Sequence, residues 1–406
     1  MKSEPGSYFS VSLAKWLKDT VMFRSAKHSA SAAVPPAELK KGDVLRVKSG
    51  QYLVMDFIGE GAFGRVAKCL DTKSEDMVAI KIFKSTRDSK DRVREMSILD
   101  AIKSLDPEKK NVVRFISFFG IQKNSFLVFE MLDRSLSYLL RQQKKRPLSL
   151  NEIRPITHQL LVALDALKGI GILHTDVKPD NIMLVNHKDL PYRVKLIDFG
   201  NGIPTSKVHI GMSMQPPSLR APEVTLGLPI SEAVDMWGLG CVLAFLYFGF
   251  HIFPGRCNHR IKVICQLLGQ PRDKLLDVGL NTNLYFSKKE NGPLKWMFRF
   301  ANECFKLSKI ERKLQKITLD SPLTIDLAVH RFYKIKNTVE CKDKIEFLGL
   351  LKWMLQPESK RRVCPSKALL HSFVTMSHLT KQKKSCSYVT EAVNLMAVVP
   401  KEKAGQ

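Results

Sequence analysis

His174-Thr175-Asp176-Val177-Lys178-Pro179-Asp180-Asn181 decides how this chain is read. The stretch puts an acid, a lysine and an amide on one short loop with apolar runs to either side. That set suits phosphoryl transfer, which asks a protein mainly for positioning and charge. Working outward, Asp198-Phe199-Gly200 follows the apolar run Val194-Lys-Leu-Ile197, and Val78-Ala79-Ile80-Lys81 lies far upstream. Before it comes a glycine loop, Gly59-Glu60-Gly61-Ala62-Phe63-Gly64-Arg65-Val66. Each string alone is weak; their shared order and spacing carry the weight.

Each residue type has a chemical reason to be there. Glycines between two strands let backbone N–H groups approach triphosphate oxygens without a side chain in the way, and Phe63 at the tip would close over them. Lys81 sits in an apolar strand, where an unpaired ammonium is costly, so it needs a partner. Glu95, on the helix carrying Val93, Met96, Ile98 and Leu99, is the natural one. A lysine so held would grip the α- and β-phosphates. Asp176 would accept the proton of a substrate hydroxyl and Lys178 would meet the γ-phosphate. Asn181 and Asp198 supply the hard oxygen ligands that Mg²⁺ prefers.

Composition bounds the rest. The 406 residues suffice for one large or two medium domains, with 44% hydrophobic and 26% charged residues. Lysine and arginine number 65 against 39 acids, a formal charge of +26 that favours acidic partners or a solvated lysine-rich surface. The 8 cysteines contain no Cys-x-x-Cys pair, which argues against a zinc ribbon or a disulfide framework and for a reducing compartment. Met1-Lys-Ser-Glu-Pro has neither a signal peptide's pattern nor the second-position glycine needed for myristoylation. Met236 to Phe250 is apolar but shorter than a membrane span of about 20 residues, so it reads as a buried core helix.

The pattern predicts an α+β, two-lobed plan with an ATP cleft between the lobes. Residues 1–45 form a loosely ordered N-terminal extension with one short helix near Trp16. Five strands follow, at Tyr52–Ile58, Arg65–Cys69, Met77–Phe83, Asn111–Ile116 and Phe126–Phe129. Helices dominate afterwards, opened by the capping box Ser149-Leu-Asn-Glu152 and an apolar stripe through Ile153, Ile156, Leu160, Leu164 and Leu167. The expected domain runs over 46–380, with an N-lobe of 46–132 and a C-lobe of 133–380. Residues 381–406 make a basic, polar tail.

With these residues in place the chain resembles a eukaryotic protein kinase from Tyr52 to Leu379. Lys178 resembles the serine/threonine type. Arg220-Ala-Pro-Glu223, Asp235-Met-Trp-Gly-Leu-Gly240 and Arg362 resemble the family's activation-loop end, its buried helix and the arginine that pairs with that glutamate. Phe253-Pro-Gly255 and Leu267-Leu-Gly-Gln-Pro271 look like the CMGC branch. Leu127-Val-Phe-Glu-Met-Leu132, Leu226-Gly-Leu-Pro229 and Phe373-Val-Thr-Met-Ser-His-Leu379 look like its homeodomain-interacting protein kinases. The resemblance implies a small five-stranded lobe with one key helix, and adenine held by the backbones of Glu130 and Leu132. Ile58, Val66, Ala79, Phe129 and Met183 would wall the adenine, with Phe129 as gatekeeper.

Three departures stand out. Thr175 replaces the arginine that most kinases use to read an activation-loop phosphate, although the resembled family also lacks it. Ser213 stands where that family has its activating tyrosine, and Pro217 replaces an arginine. The enzyme is therefore expected not to depend on tyrosine autophosphorylation, and either to hold its loop by packing or to use Ser213. The expected activity is transfer of the γ-phosphate of ATP, with Mg²⁺, to serine and threonine of protein substrates, with transcription regulators among its partners. No membrane or direct nucleic-acid partner and no stable oligomer is expected, nor are the family's long partner-binding tails. The nucleus or cytoplasm would be its location, and Lys144-Lys-Arg146 and Lys381-Gln-Lys-Lys384 are candidate nuclear addresses. The alternatives are a pseudokinase scaffold, which the intact Lys81, Glu95, Asp176, Asn181 and Asp198 disfavour, and a basic nucleic-acid binder resting on net charge alone.

Overall fold

Val78, Ile80 and Ile82 are buried, while Ala79 and Lys81 between them are only half-buried, so this strand has one face on a core and one facing away from it. The computed structural model of the chain describes residues 39–48, 50–61, 64–83, 89–121, 124–144, 146–288, 295–299, 309–318, 323–332, 338–382 and 386–400. The short helix near Trp16, the loop residues Ala62 and Phe63, and parts of both basic clusters lie outside these residues.

Six strands form one sheet in the order β1-β2-β3-β4-β6-β5: β1 (Val44–Val47), β2 (Gly50–Gly61), β3 (Gly64–Asp71), β4 (Met77–Phe83), β5 (Phe115–Ile121) and β6 (Asn124–Glu130). Its core gathers Tyr52, Val54, Ala67, Cys69, Ile80 and Val128. Helix α1 (Ser89–Ile102) buries Met96, Ile98 and Leu99. Strand β1 is one more than the sequence suggested, and it begins inside the stretch read as an extension. Only Leu45 of its four residues is buried, too little alternation to announce a strand.

The strand expected over Asn111–Ile116 begins instead at Phe115. Asp106 caps the short helix α2 (Pro107–Lys110) by accepting from the Glu108 and Lys109 N–H groups, and Asn111 closes it in the left-handed region at φ 54°. Val112 is left with a single bridge to Leu196. An Asp-Pro start and an Asn stop were the available signals.

The chain divides into two units, one of the described residues up to Asp100 with Ile116–Phe129, the other of Ala101–Phe115 with the residues from Glu130 on. The second is mainly helical. Helix α3 (Leu150–Gly169) opens with both halves of the expected capping box, Ser149 Oγ accepting from the Glu152 N–H and Glu152 Oε2 from the Ser149 N–H at 2.7 Å. Short strands follow, β7 (Ile172–Leu173), β8 (Ile182–Leu184), β9 (Val194–Leu196) and β10 (Ile203–Pro204), with β8 paired to β9 and β7 to β10.

After α4 (Pro222–Leu226) comes α5 (Ala233–Phe248), buried on almost every side as the sequence implied. No described helix is long and apolar enough to cross a membrane. Glu223 and Arg362 form a buried two-bond ion pair at 2.6 and 2.9 Å. Helices α6 (Cys257–Leu268), α7 (Thr338–Met354) and α8 (Ser387–Met396) complete the elements used below. The last lies in the stretch read as a polar tail. It buries Val389 and Ala392 against Met376 and Leu379, and Asn151 of α3 donates to Tyr388 O and Glu391 Oε2.

Candidate functional site

In the first unit the register of β3 against β4 pairs Val66 with Lys81 and Lys68 with Ala79. Val66, Ala79 and Lys81 therefore share the sheet face opposite the core. Lys81 Nζ donates to Glu95 Oε1 at 2.7 Å, with Glu95 only 1% exposed, the pairing that a lysine in an apolar strand demands. Ile58 falls in an irregularity of the β2–β3 pairing between Phe57 and Gly59 and is exposed.

The glycines differ. A Cβ on Gly64 would lie 2.0 Å from the Ile82 carbonyl oxygen, so pairing of β3 with β4 requires glycine there. A Cβ on Gly59 or Gly61 would meet nothing within 4 Å. The chain's own packing leaves both positions open, and Glu60 between them is exposed.

In the second unit the 174–181 loop runs from β7 to β8. It hangs on Asp235 of α5, whose Oδ2 accepts from the His174 N–H at 2.7 Å and Oδ1 from the Thr175 N–H at 2.8 Å. Burial pushes the Asp235 carboxyl up, against the pull of His174 and these two donors. His174 Nδ1 accepts from the Asp176 N–H, which leaves Nε2–H to donate to Ile197 O at 3.0 Å. Thr175 is held at φ 62°, an uncomfortable place for a β-branched residue, and its Oγ1 donates to Asn201 O at 2.8 Å. The position that most kinases give to a phosphate-reading arginine is here a neutral tether.

Asp176 stands at the centre. Its Oδ2 accepts from Lys178 Nζ at 2.8 Å, Asn181 Nδ2 at 3.1 Å and Asn201 Nδ2 at 3.2 Å. Its Oδ1 is buried with no hydrogen-bond partner. Asn181 also donates from Nδ2 to Asp176 O at 2.9 Å, which turns its own Oδ1 away from these contacts. Asp198 follows β9 in the left-handed region at φ 60°, with Oδ1 accepting from the Gly200 N–H at 3.4 Å.

An amide oxygen and a carboxylate suit a hard cation that keeps water and phosphate for its other ligands, so Asn181 and Asp198 fit Mg²⁺. No cluster of three or more His, Cys, Asp or Glu side chains able to hold a metal occurs among the described residues. All seven described cysteines are free.

Two residues escaped the sequence reading. Asn201 carries no motif, and only the fold brings it to Asp176 and Thr175. Lys195, in β9 opposite Met183, is fully buried and donates to both oxygens of Glu130 at 2.7 and 2.8 Å and to Glu108 at 2.7 Å. Glu130 also accepts from the Arg114 N–H at 2.6 Å, while its own N–H donates to Arg114 O. The residue expected to meet adenine is thus fixed from behind by a buried cation, with Leu132 buried two residues on. A lone lysine in Val194-Lys-Leu-Ile was a signal of the same kind as Lys81.

Residues 52–374 match the model of the protein kinase domain. Over 360 residues the chain is 38% identical to homeodomain-interacting protein kinase 1 of Mus musculus, covering 86% of this chain and 30% of that one. Homeodomain-interacting protein kinase 2 of Mus musculus is 37% identical over 84% of the chain and 29% of its own length. Homeodomain-interacting protein kinase 4 of Homo sapiens is 34% identical over 83% and 57%. The chain thus spans between about a third and somewhat over half of these relatives. The motifs and these matches agree: the chain belongs to the protein kinase family, and over most of its length it is similar to homeodomain-interacting protein kinases.

Proposed function

We propose that this chain transfers the γ-phosphoryl group of ATP to serine and threonine hydroxyls of protein substrates. The observation that carries the reading is the Asp176 carboxylate. One oxygen is clamped by Lys178, Asn181 and Asn201 while the other is buried and unpartnered, an arrangement that costs stability unless something is meant to bond there. A substrate hydroxyl fits: Asp176 Oδ1 takes its proton as the oxygen attacks phosphorus and the bond to the leaving diphosphate breaks.

Lys178, bonded to the same carboxylate, would meet the transferring group, and the Lys81–Glu95 pair would grip the α- and β-phosphates. Gly59 and Gly61, which packing does not require, give backbone N–H groups room to approach phosphate oxygens, with Glu60, Ala62, Phe63 and Gly64 completing the loop. Ile58, Val66, Ala79, Phe129 and Met183 would wall the adenine, and Glu130 and Leu132 would bond it through their backbones. Asn181 and Asp198 would hold Mg²⁺, which supplies neutralising charge to the phosphates when bound.

The relatives are named as homeodomain-interacting, and on that ground we extend the proposal to transcription regulators as substrates or partners. Nucleus or cytoplasm fits the free cysteines. Phosphoamino-acid analysis of a general protein mixture incubated with the chain and labelled ATP tests the reading. Phosphoserine and phosphothreonine are expected. Phosphotyrosine as the main product, or no phosphoamino acid at all from folded protein, would sink it.

A further inference from the structure

We propose that Arg260 is a positioning residue that holds the segment 214–220 ready for protein substrate, so that activity does not require phosphorylation of Ser213. The proposal rests on the kinase reading and adds its regulation. The segment lies just before Ala221-Pro-Glu223 and contains Pro216 and Pro217, which have no N–H to offer a neighbouring strand. Beyond one tight turn, closed by the Leu219 N–H donating to Pro216 O at 2.9 Å, its shape depends on bonds from side chains. Arg220 donates from Nε to Met214 O at 2.9 Å and from Nη2 to Gln215 O at 3.0 Å. Gln215, at φ 66°, donates to Val234 O on α5 at 2.8 Å and accepts from the Ala221 N–H at 2.9 Å. These contacts fold the segment on itself and on α5.

A second anchor outside the segment is Arg260. It reaches across from α6 with 0% exposure, and Nη1 donates to Pro217 O at 2.8 Å and to Gly255 O at 3.0 Å. Nη2 donates to Thr225 Oγ1 at 3.1 Å and approaches Cys257 Sγ at 3.4 Å. Its Nε is buried without a partner. Three of these acceptors are neutral oxygens and the fourth is the Cys257 sulfur, so among the described residues a guanidinium has been taken out of water with no carboxylate bonded to it. That is a poor bargain for packing alone, and what it secures is the carbonyl of the residue that replaces an arginine of the related kinases.

Arg260 thus supplies from α6 a guanidinium that Pro217 removed from the segment. Ser213, just before the segment, is exposed, and Thr175 is tied to Asn201 where a phosphate-reading arginine would stand. The segment is built to be held by permanent donors.

The test compares four versions of this 406-residue chain, wild type, Ser213→Ala, Arg260→Met and Arg260→Lys, with Asp198→Asn as the inactive control. Each is assayed for KM toward a general protein substrate, KM toward ATP, kcat and melting temperature, and the wild type is also assayed after phosphatase treatment. Ser213→Ala and phosphatase-treated enzyme are expected within about threefold of wild type. Arg260→Met should raise the protein-substrate KM on the order of tenfold or more with the ATP KM within about twofold, a split that general loss of structure would not produce. Arg260→Lys, which can hold only part of the set, should fall between.

If Arg260→Met does not fold, Arg260→Lys decides alone by the same split. An unchanged protein-substrate KM in the folded variants, or folded Ser213→Ala losing activity tenfold or more, would overturn the proposal. Wild type no better than Asp198→Asn would overturn the kinase reading instead.

Discussion

Asp235→Asn changes one atom and should disable the loop that carries Asp176. The native carboxylate is 4% exposed and accepts two backbone N–H groups, from His174 and Thr175. An asparagine amide offers one oxygen, so one N–H must face an NH₂ group. The substitution removes one hydrogen bond to a charged acceptor, about 1.5–3 kcal/mol, and leaves a buried donor unpaired for about 1–3 kcal/mol more. The sum is about 2.5–6 kcal/mol, and the loop can escape it only by moving. Thr175 at φ 62° depends on this clamp, so movement relaxes Thr175 and carries Asp176 away from Asn201 and Lys178. If most of the cost appears as lost positioning, kcat falls by about 10²–10³. The assay is steady-state phosphorylation of a protein substrate beside a thermal melt of the same preparation, with a drop on the order of 5–10 °C expected. A kcat within threefold of wild type, whatever the melt shows, would refute the claim that these two bonds hold Asp176.

Two further outcomes follow from buried groups. Asp343 accepts from Arg154, from His378 Nε2 at 2.8 Å and from the Tyr388 hydroxyl at 2.6 Å, so Asp343→Asn should cost about 3–5 kcal/mol by stranding the Arg154 charge. Burial pushes the Asp343 carboxyl up, but His378, Arg154 and Tyr388 outweigh it and hold it below the usual range. Its contribution is therefore present above about pH 4 and lost as pH falls further. Melts of both proteins from pH 7 to pH 3 should converge; a constant gap between them contradicts the assignment. At Cys257 burial is opposed and outweighed by Arg260, Tyr285 and Arg220, which hold the thiol below its ordinary range, while burial pushes Cys265 up to about 12. Peptide mapping after brief iodoacetamide treatment should find Cys257 alkylated at lower pH than Cys265, and the reverse order would count against the guanidinium cluster around Pro217.

What the sequence made legible was chemistry held on short loops of fixed spacing. Lys81 and Glu95 could be paired because a lysine in an apolar strand needs an acid, and Ser149 with Glu152 because a capping box is local. Glu223 and Arg362 came from resemblance, since they are far apart in the chain. Arg154 and Asp343 gave no such handle, and Lys195, though its apolar strand asked for an acid as that of Lys81 did, is matched to Glu130 and Glu108 only by the folded chain. Arg260 was invisible for the same reason, being satisfied by carbonyls, which every residue has. Helix α8 hid in a polar stretch because Val389 and Ala392 are its only fully buried side chains, and β1 because Leu45 is alone.

Labelled-phosphate incorporation from ATP and Mg²⁺, into the chain itself and into a general protein mixture, tests the central claim most directly when wild type is set beside Lys81→Met and Asp198→Asn. The account predicts incorporation by wild type that both substitutions abolish while each protein stays folded. Equal, near-zero signals from all three would contradict it and leave a kinase fold serving as a binding module.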